Sequence, residues 1–367
     1  MSKRLNVGCV DIIKRNVKQE SLFGVFTSVV AVVFALAVGG VIISLAGVNP
    51  VIAYWHLFYG AFGTTTNIFD TLLRTTPLLL AGIGLAISFR CNLISIGAEG
   101  QMVVGGVFAT SVGLAMVGYP PVLVILLSMI AGFVGGGLYG FIPGILKAKF
   151  GTSEIINTIM LNYIAIHMLS FLLDGPLRDP GSYFPQSALL ERAIWFPRFF
   201  GSRLHVGFLL GLLAIVVYYV LMFKLPLGYK IRAVGYNPKA AEYAGISVTK
   251  GIVIAMVLSG GFAGIAGVSE VFGVHHRLYN EFSAGLGFDA LAVALLGQLH
   301  PLGVFMAALF FGALRVGTLA MQRAIQIPIA MVYVIQGISI LFILMDKFFQ
   351  YYLVTVRKKR KLLKEEE

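Results

Sequence analysis

Charge is scarce in this 367-residue chain. Asp, Glu, Lys and Arg make up 12 % of it, about half the roughly 25 % of a soluble domain. So little charge cannot cover a globule of this size with water-compatible surface, which excludes a soluble enzyme and a disordered chain. Cysteine is scarcer still. Cys9 and Cys91 are the only two, which excludes a disulfide scaffold and offers no metal-ligand spacing. No GxxxxGK[ST] phosphate loop occurs, so ATP binding is not expected. Leu258-Ser259-Gly260-Gly261 spells the start of an ATPase signature, but it lies inside an apolar run. Adjacent His275 and His276 would not face together on a helix, so they are not read as a metal pair. No His/Asp/Glu or Ser/His cluster suits a membrane-embedded enzyme, and neither cofactor nor metal is expected. Acids number 16 against 28 bases, a net charge of +12. The bases sit at the chain ends and in short loops between apolar runs. That is the positive-inside pattern and not a nucleic-acid surface.

What is abundant is apolar sequence: 58 % of residues and a mean hydropathy of +0.89. A spanning helix needs about 20 apolar residues. Candidates are Leu22–Gly47, Asp70–Ser88, Leu93–Val117, Pro121–Leu146, Glu154–Leu173, His205–Phe223, Gly251–Gly273, Phe288–Leu299, Leu302–Met321 and Ile327–Phe348. The first is too long for a signal-peptide core and is read as an uncleaved helix. The eighth is too short to cross as a regular helix, so it belongs to a broken segment lined by protein. Val51–Phe62 is read as an interfacial or re-entrant piece, held by Trp55 and Tyr59. The expectation is an all-α, polytopic integral membrane protein with about ten transmembrane helices. It forms a single membrane domain over 1–367: an N-terminus of 1–21, a membrane part of 22–348 and a basic tail of 349–367. Lys3, Arg4, Lys14, Arg15 and Lys18 share one side with Arg90, Lys147, Lys149, the bases of 224–250 and those of the tail. These are most of the 28, so both ends are placed in the cytoplasm. The tail suits anionic lipid headgroups.

Ionisable and amide groups inside spans are functional candidates by default. Glu99 and Gln101 lie between glycines in GAEGQ; Asp289 and Gln298 lie in GFDALAVALLGQL. The two segments share an acid, a Gln and glycines, as inverted repeats would. Glu154, Thr158 and Asn162 recur on one helix face, with Asn157 beside it. Glu99, Gln101, Asn157, Thr158, Asn162, Asp289 and Gln298 are therefore candidate path residues for a neutral, polyhydroxylated solute. The alternative is that they hydrogen-bond backbone at helix breaks or join helices. Arg315 and Glu270 are either paired or near an interface, which the sequence leaves open. Gly132, Gly136, Gly140 and Gly144, with Gly260 and Gly264, are spaced for close helix packing.

The long inner loop reads GYKIRAVGYNPKAAEYAGI over 228–246. Asn237 suits an N-cap, Pro238 the first helical position and Gly245 the C′ position. The result is a short capped helix, with Ala240, Ala241, Ala244 and Gly245 small enough to let a partner's groove approach. This stretch, with Arg232, resembles the coupling loop of permease subunits in the ribose, branched-chain amino acid and nucleoside group of bacterial ABC importers. GLAISFRCNLISIGAEGQMVVGG (84–106) resembles that family's third-helix signature. GTSEIINTIMLNYIA (151–165) and GPLRDPGSYFPQS (175–187) are similar to the longer permease of nucleoside importers. SGGFAGIAGVSEVFG (259–273) and GLGFDALAVALLGQLHPLG (285–303) resemble later family segments. The resemblance implies inverted repeats broken around the third and eighth segments. It also implies cytoplasmic ABC ATPase subunits, a second and often non-identical permease, and a lipid-anchored solute-binding protein outside a bacterial plasma membrane. Nucleoside is favoured over simple sugar by 151–187 alone, and amino acid comes third. The competing class is an ion-coupled secondary transporter, which would need no docking helix.

Overall fold

The computed structural model describes residues 37–41, 43, 44, 47–199, 201–325 and 337. The basic N-terminus, most of Leu22–Gly47, all but one residue of Ile327–Phe348 and the tail lie outside them. Two compact units are separable, one of residues 57–320 and one of the two terminal regions (1–56 and 321–367). In the terminal unit, Asn49 caps the helix start by accepting from the N–H of Val51 at 2.9 Å.

Among the described residues every regular element is helical, the α-helices being α1 (Pro50–Phe62), α2 (Thr65–Arg90), α3 (Ala98–Ala115), α4 (Pro121–Phe150), α5 (Glu154–Asp174), α6 (Gly207–Phe223), α7 (Pro226–Tyr236), α8 (Pro238–Tyr243), α9 (Val248–Glu270), α10 (Leu286–Leu296) and α11 (Pro301–Ile325). Among the described residues, α2, α4, α5, α9 and α11 are long and apolar enough to cross a membrane. The pair α6–α7, bent by 69°, makes a sixth if counted as one span. The bend separates a spanning α6 from an amphipathic α7, which buries Gly228, Ile231 and Val234. That second helix was hidden in the sequence, where 224–236 reads as loop. Its Tyr, Lys and Arg residues obscure a one-sided pattern that only packing makes visible.

Glycine sets the helix spacing. A Cβ on Gly264 would lie 2.1 Å from the carbonyl oxygen of Gly132. One on Gly136 would lie 2.2 Å from that of Gly260, and one on Gly267 would lie 2.1 Å from that of Met102. No real Cβ fits there, so α9 packs backbone to backbone against α4, as the four-residue glycine spacing predicted, and also against α3 through Gly267, which that spacing did not mark. Of the five helices long enough to span, α2 and α9 are the most buried, with 83 % and 67 % of their most apolar stretch covered, against 22 % for α5.

The long segment between α5 and α6 is a folded cap. Leu190, Ile194 and Phe196 enter the core beside Phe272, Leu278 and Phe282. His275 and His276 point apart, as expected of neighbours. His275 reaches Glu270 at 3.2 Å. His276 stacks on Trp195 with ring centroids 3.7 Å apart, and its Nε2 accepts from Arg198 at 3.0 Å. Arginine can only donate, so this bond requires a neutral imidazole. Burial, then the charge of Arg198, hold His276 down to about 4. Burial likewise lowers His205 to about 4.

Two outcomes follow from this packing. Replacing Gly264 with Ala should lower the unfolding temperature in detergent, by an overpacking cost of about 1–3 kcal/mol. Ala at Gly181, where the nearest atom is 3.6 Å away, should leave it unchanged. The histidines, neutral in the fold and with an ordinary value near 6.5, contribute stability that is complete above pH 6.5. It is lost as pH falls towards 4, because the unfolded chain binds the protons first. Trp195 emission, read in a Trp55→Phe background, should change in that window, and His276→Gln should flatten the change.

Candidate functional site

Two short helices begin inside the molecule with their N-termini together. Between Arg90 and Ala98 the chain runs without regular structure, as it does again between His276 and Leu286. A Cβ on Gly287, in the first turn of α10, would lie 2.3 Å from the backbone nitrogen of Glu99, in the first turn of α3. Each helix start carries roughly half a positive charge and unsatisfied N–H groups. Glu99, 4 % exposed, answers both. Its carboxylate accepts from the N–H of Gly287 at 2.7 Å, the N–H of Gly285 at 3.2 Å and the hydroxyl of Ser283. It is thus a cap for α10 supplied by α3, and Ser283 is a partner the sequence did not reveal.

The start of α3 is capped from α5 in turn. Asn162 accepts from the N–H of Gly100 at 2.9 Å and donates to the carbonyl of Ile96 at 2.9 Å. Thr158 accepts from the N–H of Ile96 at 3.2 Å. Both side chains thus bond the irregular backbone before α3, and Thr158 also donates to the carbonyl of Glu154 in its own helix at 2.7 Å. Asn157 faces elsewhere, donating to Thr152 at 2.6 Å. Glu154 pairs with Lys147 at 2.8 Å. Gln101 is 1 % exposed, and its Oε1 has no hydrogen-bond partner among the described residues.

Arg315 does not pair with Glu270. It donates from Nε and a terminal nitrogen to Oδ2 of Asp289, both at 2.8 Å, and to the carbonyl of Ala284 at 2.9 Å. Glu270 instead meets Arg74 at 3.7 Å and His275 at 3.2 Å. Asp289 and Gln298 thus do not share a site: Asp289 is in the first turn of α10, while Gln298 lies beyond its end at a φ of 50°.

At the basic end, Arg232 of α7 and Arg90 at the close of α2 each lie 5.3 Å from the centre of the Phe223 ring. Arg90 also donates to the carbonyl of Leu299 at 2.9 Å, which accepts again from Tyr218 at 2.7 Å. The turn after α10 is thereby tied to the ends of α2 and α6 and, through Phe223, to α7. Next to it, Asn237 caps α8, accepting from the N–H of Ala240 at 3.1 Å, and Pro238 opens the helix. Gly245 follows at a φ of 76°. The small face is not wholly outward, however. Ala241 is buried, while Ala240, Ala244 and Gly245 are exposed. The prominent outward groups are Tyr243, 94 % exposed, and Tyr236, 84 %. Residue size alone could not show which alanine the chain covers.

An all-helical membrane chain whose half-helices meet N-terminus to N-terminus has the architecture of a transport protein. Residues 67–344 match the family described as branched-chain amino acid transport system / permease component, and the chain belongs to that family. It is 37 % identical over 334 residues to the guanosine ABC transporter permease protein NupP of Bacillus subtilis, covering 90 % of this chain and 96 % of that one. It is 35 % identical to the glucose ABC transporter permease protein TsgB13 of Haloferax volcanii, covering 90 % of each. With the guanosine ABC transporter permease protein NupQ of Bacillus subtilis it shares 28 % identity, over 66 % of this chain and 78 % of that one. No solved structure matches the chain significantly. The protein is a multi-pass membrane protein.

Removing either cap should separate structure from path. Asn162→Leu leaves the N–H of Gly100 and the carbonyl of Ile96 unsatisfied, at about 1–3 kcal/mol for each. Its thermal stability in detergent should fall well below that of Asn157→Leu. Glu99→Gln puts an amide N–H₂ where donors converge, and uptake should drop while membrane abundance persists. Wild-type stability in Asn162→Leu would return that residue to the solute path.

Proposed function

We propose that this chain is one of two permease subunits of an ATP-driven importer, carrying a nucleoside across the plasma membrane by alternating access. The family match over 67–344 carries this reading. The guanosine permease relative supports the solute, covering as it does nearly the whole of both chains. The glucose permease relative keeps sugar as the comparison solute in any uptake assay. Two guanosine permease proteins from one organism, NupP and NupQ, both resemble this chain, which supports a second, non-identical permease. ATP hydrolysis belongs to a cytoplasmic ABC ATPase, and solute delivery to a lipid-anchored binding protein outside. The basic end, with Lys147, Lys149, Arg90, Arg232 and α8, faces the cytoplasm, and both chain termini lie on that side. Residues 1–367 act as one transport domain.

The mechanical route is contiguous. The ATPase grips α8 by Tyr243, Tyr236 and the exposed Ala240, Ala244 and Gly245. The movement reaches α7, where Arg232 lies over Phe223. From there it passes to Arg90 and the carbonyl of Leu299, at the far end of α10. Helix α10 moves against Glu99, so the two half-helices open or close the midplane. An ion-coupled carrier would need neither a capped α8 nor a link from it to the broken segment.

The exposure of α8 decides the test. Tyr243→Ala should leave membrane abundance intact, weaken co-purification of the ATPase and abolish ATP-dependent guanosine uptake in proteoliposomes. Ala241→Trp should lower abundance instead, because that position is buried within the chain. Solute accumulation by the wild-type chain alone, on an imposed proton or sodium gradient, would overturn the proposal.

A further inference from the structure

One face of the broken segment is built against the ordinary rules for a surface in hydrocarbon. Arg315 is the fifteenth residue of the 25-residue α11, near mid-span. Its ion pair with Asp289 leaves both side chains partly open, at 19 % and 17 %. Directly before α10, Glu281 and Ala284 are exposed at φ values of 61° and 45°. The backbone there is bonded internally, Ala284 N–H to the Glu281 carbonyl and the Ala284 carbonyl to Arg315, but the Glu281 side chain adds a further charged group to the open face. Next to Asp289, Phe288 is 47 % exposed. Lipid cannot satisfy an open ion pair or an exposed carboxylate at this depth, whereas a water-filled cavity can. The outer face of α4 is the contrast. Ile130, Val134, Leu138 and Phe141 are exposed at helical spacing and uniformly apolar, as a lipid-facing stripe is.

We propose that Glu281, Ala284, Phe288 and the Asp289–Arg315 pair line the aqueous route and form the station where solute rests at mid-membrane. This rests on the reading of the chain as a permease. The station differs from the α5 face of Thr158 and Asn162, whose polar groups are consumed by backbone. Its chemistry selects a neutral solute with a planar ring and hydroxyls. Phe288 offers a ring face for stacking. The positive charge of Arg315 is already compensated by Asp289, and Glu281 repels anions. An unphosphorylated nucleoside fits, and its phosphate ester does not.

The test uses the full importer with Cys9 and Cys91 replaced by Ala and single cysteines at Phe288, Ala284 or Val134. Sulfonatoethyl methanethiosulfonate reacts only with a thiolate, which hydrocarbon disfavours. Phe288→Cys and Ala284→Cys should therefore react about tenfold or more faster than Val134→Cys. In Ala284→Cys, which keeps the Phe288 ring, modification should block uptake, guanosine should slow the reaction, and guanosine monophosphate should not. If Phe288→Cys fails to assemble, Ala284→Cys carries the measurement. Unreactive thiols at both positions in a transporting complex, with and without ATP, would show a face sealed by lipid or by the second permease and overturn the proposal. Equal rates with and without guanosine would overturn the solute contact. Failure of the wild-type importer to take up any nucleoside counts against the solute reading, and the labelling rates still report whether the face is wet.

Discussion

Glu99 holds the centre of this protein. Two helix starts placed end to end repel, and each exposes N–H groups that nothing in hydrocarbon can satisfy. A single carboxylate carried by α3 accepts from the start of α10, so α10 depends on α3, just as the start of α3 depends on side chains of α5. Much of the remaining architecture serves this junction. Asn162 and Thr158 of α5 close the backbone that leads into α3. Arg90 and Tyr218 hold the turn that leaves α10.

Glycine packing and half-helix capping divide the labour. The contact of α9 with α4 and α3 is backbone on backbone, with no side chain to yield. A block packed in that way moves as a unit, because close-packed interiors are stiff. The junction at Glu99 is different in kind, since hydrogen bonds can be exchanged where fused backbones cannot slide. A rigid block beside an exchangeable joint is what the proposed alternating access would need, and Arg232 of α7 lies over Phe223 at the basic end.

The sequence was legible where a single chemical rule acts alone. Low charge and long apolar runs established a membrane protein, and the four-residue glycine spacing located the tight contacts. Asn237, Pro238 and Gly245 marked a six-residue helix that is present with the expected cap. Phe288–Leu299, too short to span, became a short helix starting in the interior. Where several rules compete, legibility ended. Helix α7 was masked by its charged residues, and Ala241 looked like part of an outward face that packing turns inward.

Residue types and spacings thus determined the class of protein, its helical build and the positions of its breaks, because these follow from hydropathy and local backbone preference. They also marked Glu99, Asp289, Arg315 and Glu270 as costly groups that need partners. Only the tertiary structure decided which partners. Arg315 went to Asp289 and Glu270 to Arg74 and His275, because pairing depends on which helices meet and at what depth. For the same reason Asn162 became a cap, and an ion pair beside Phe288 was left open at mid-span.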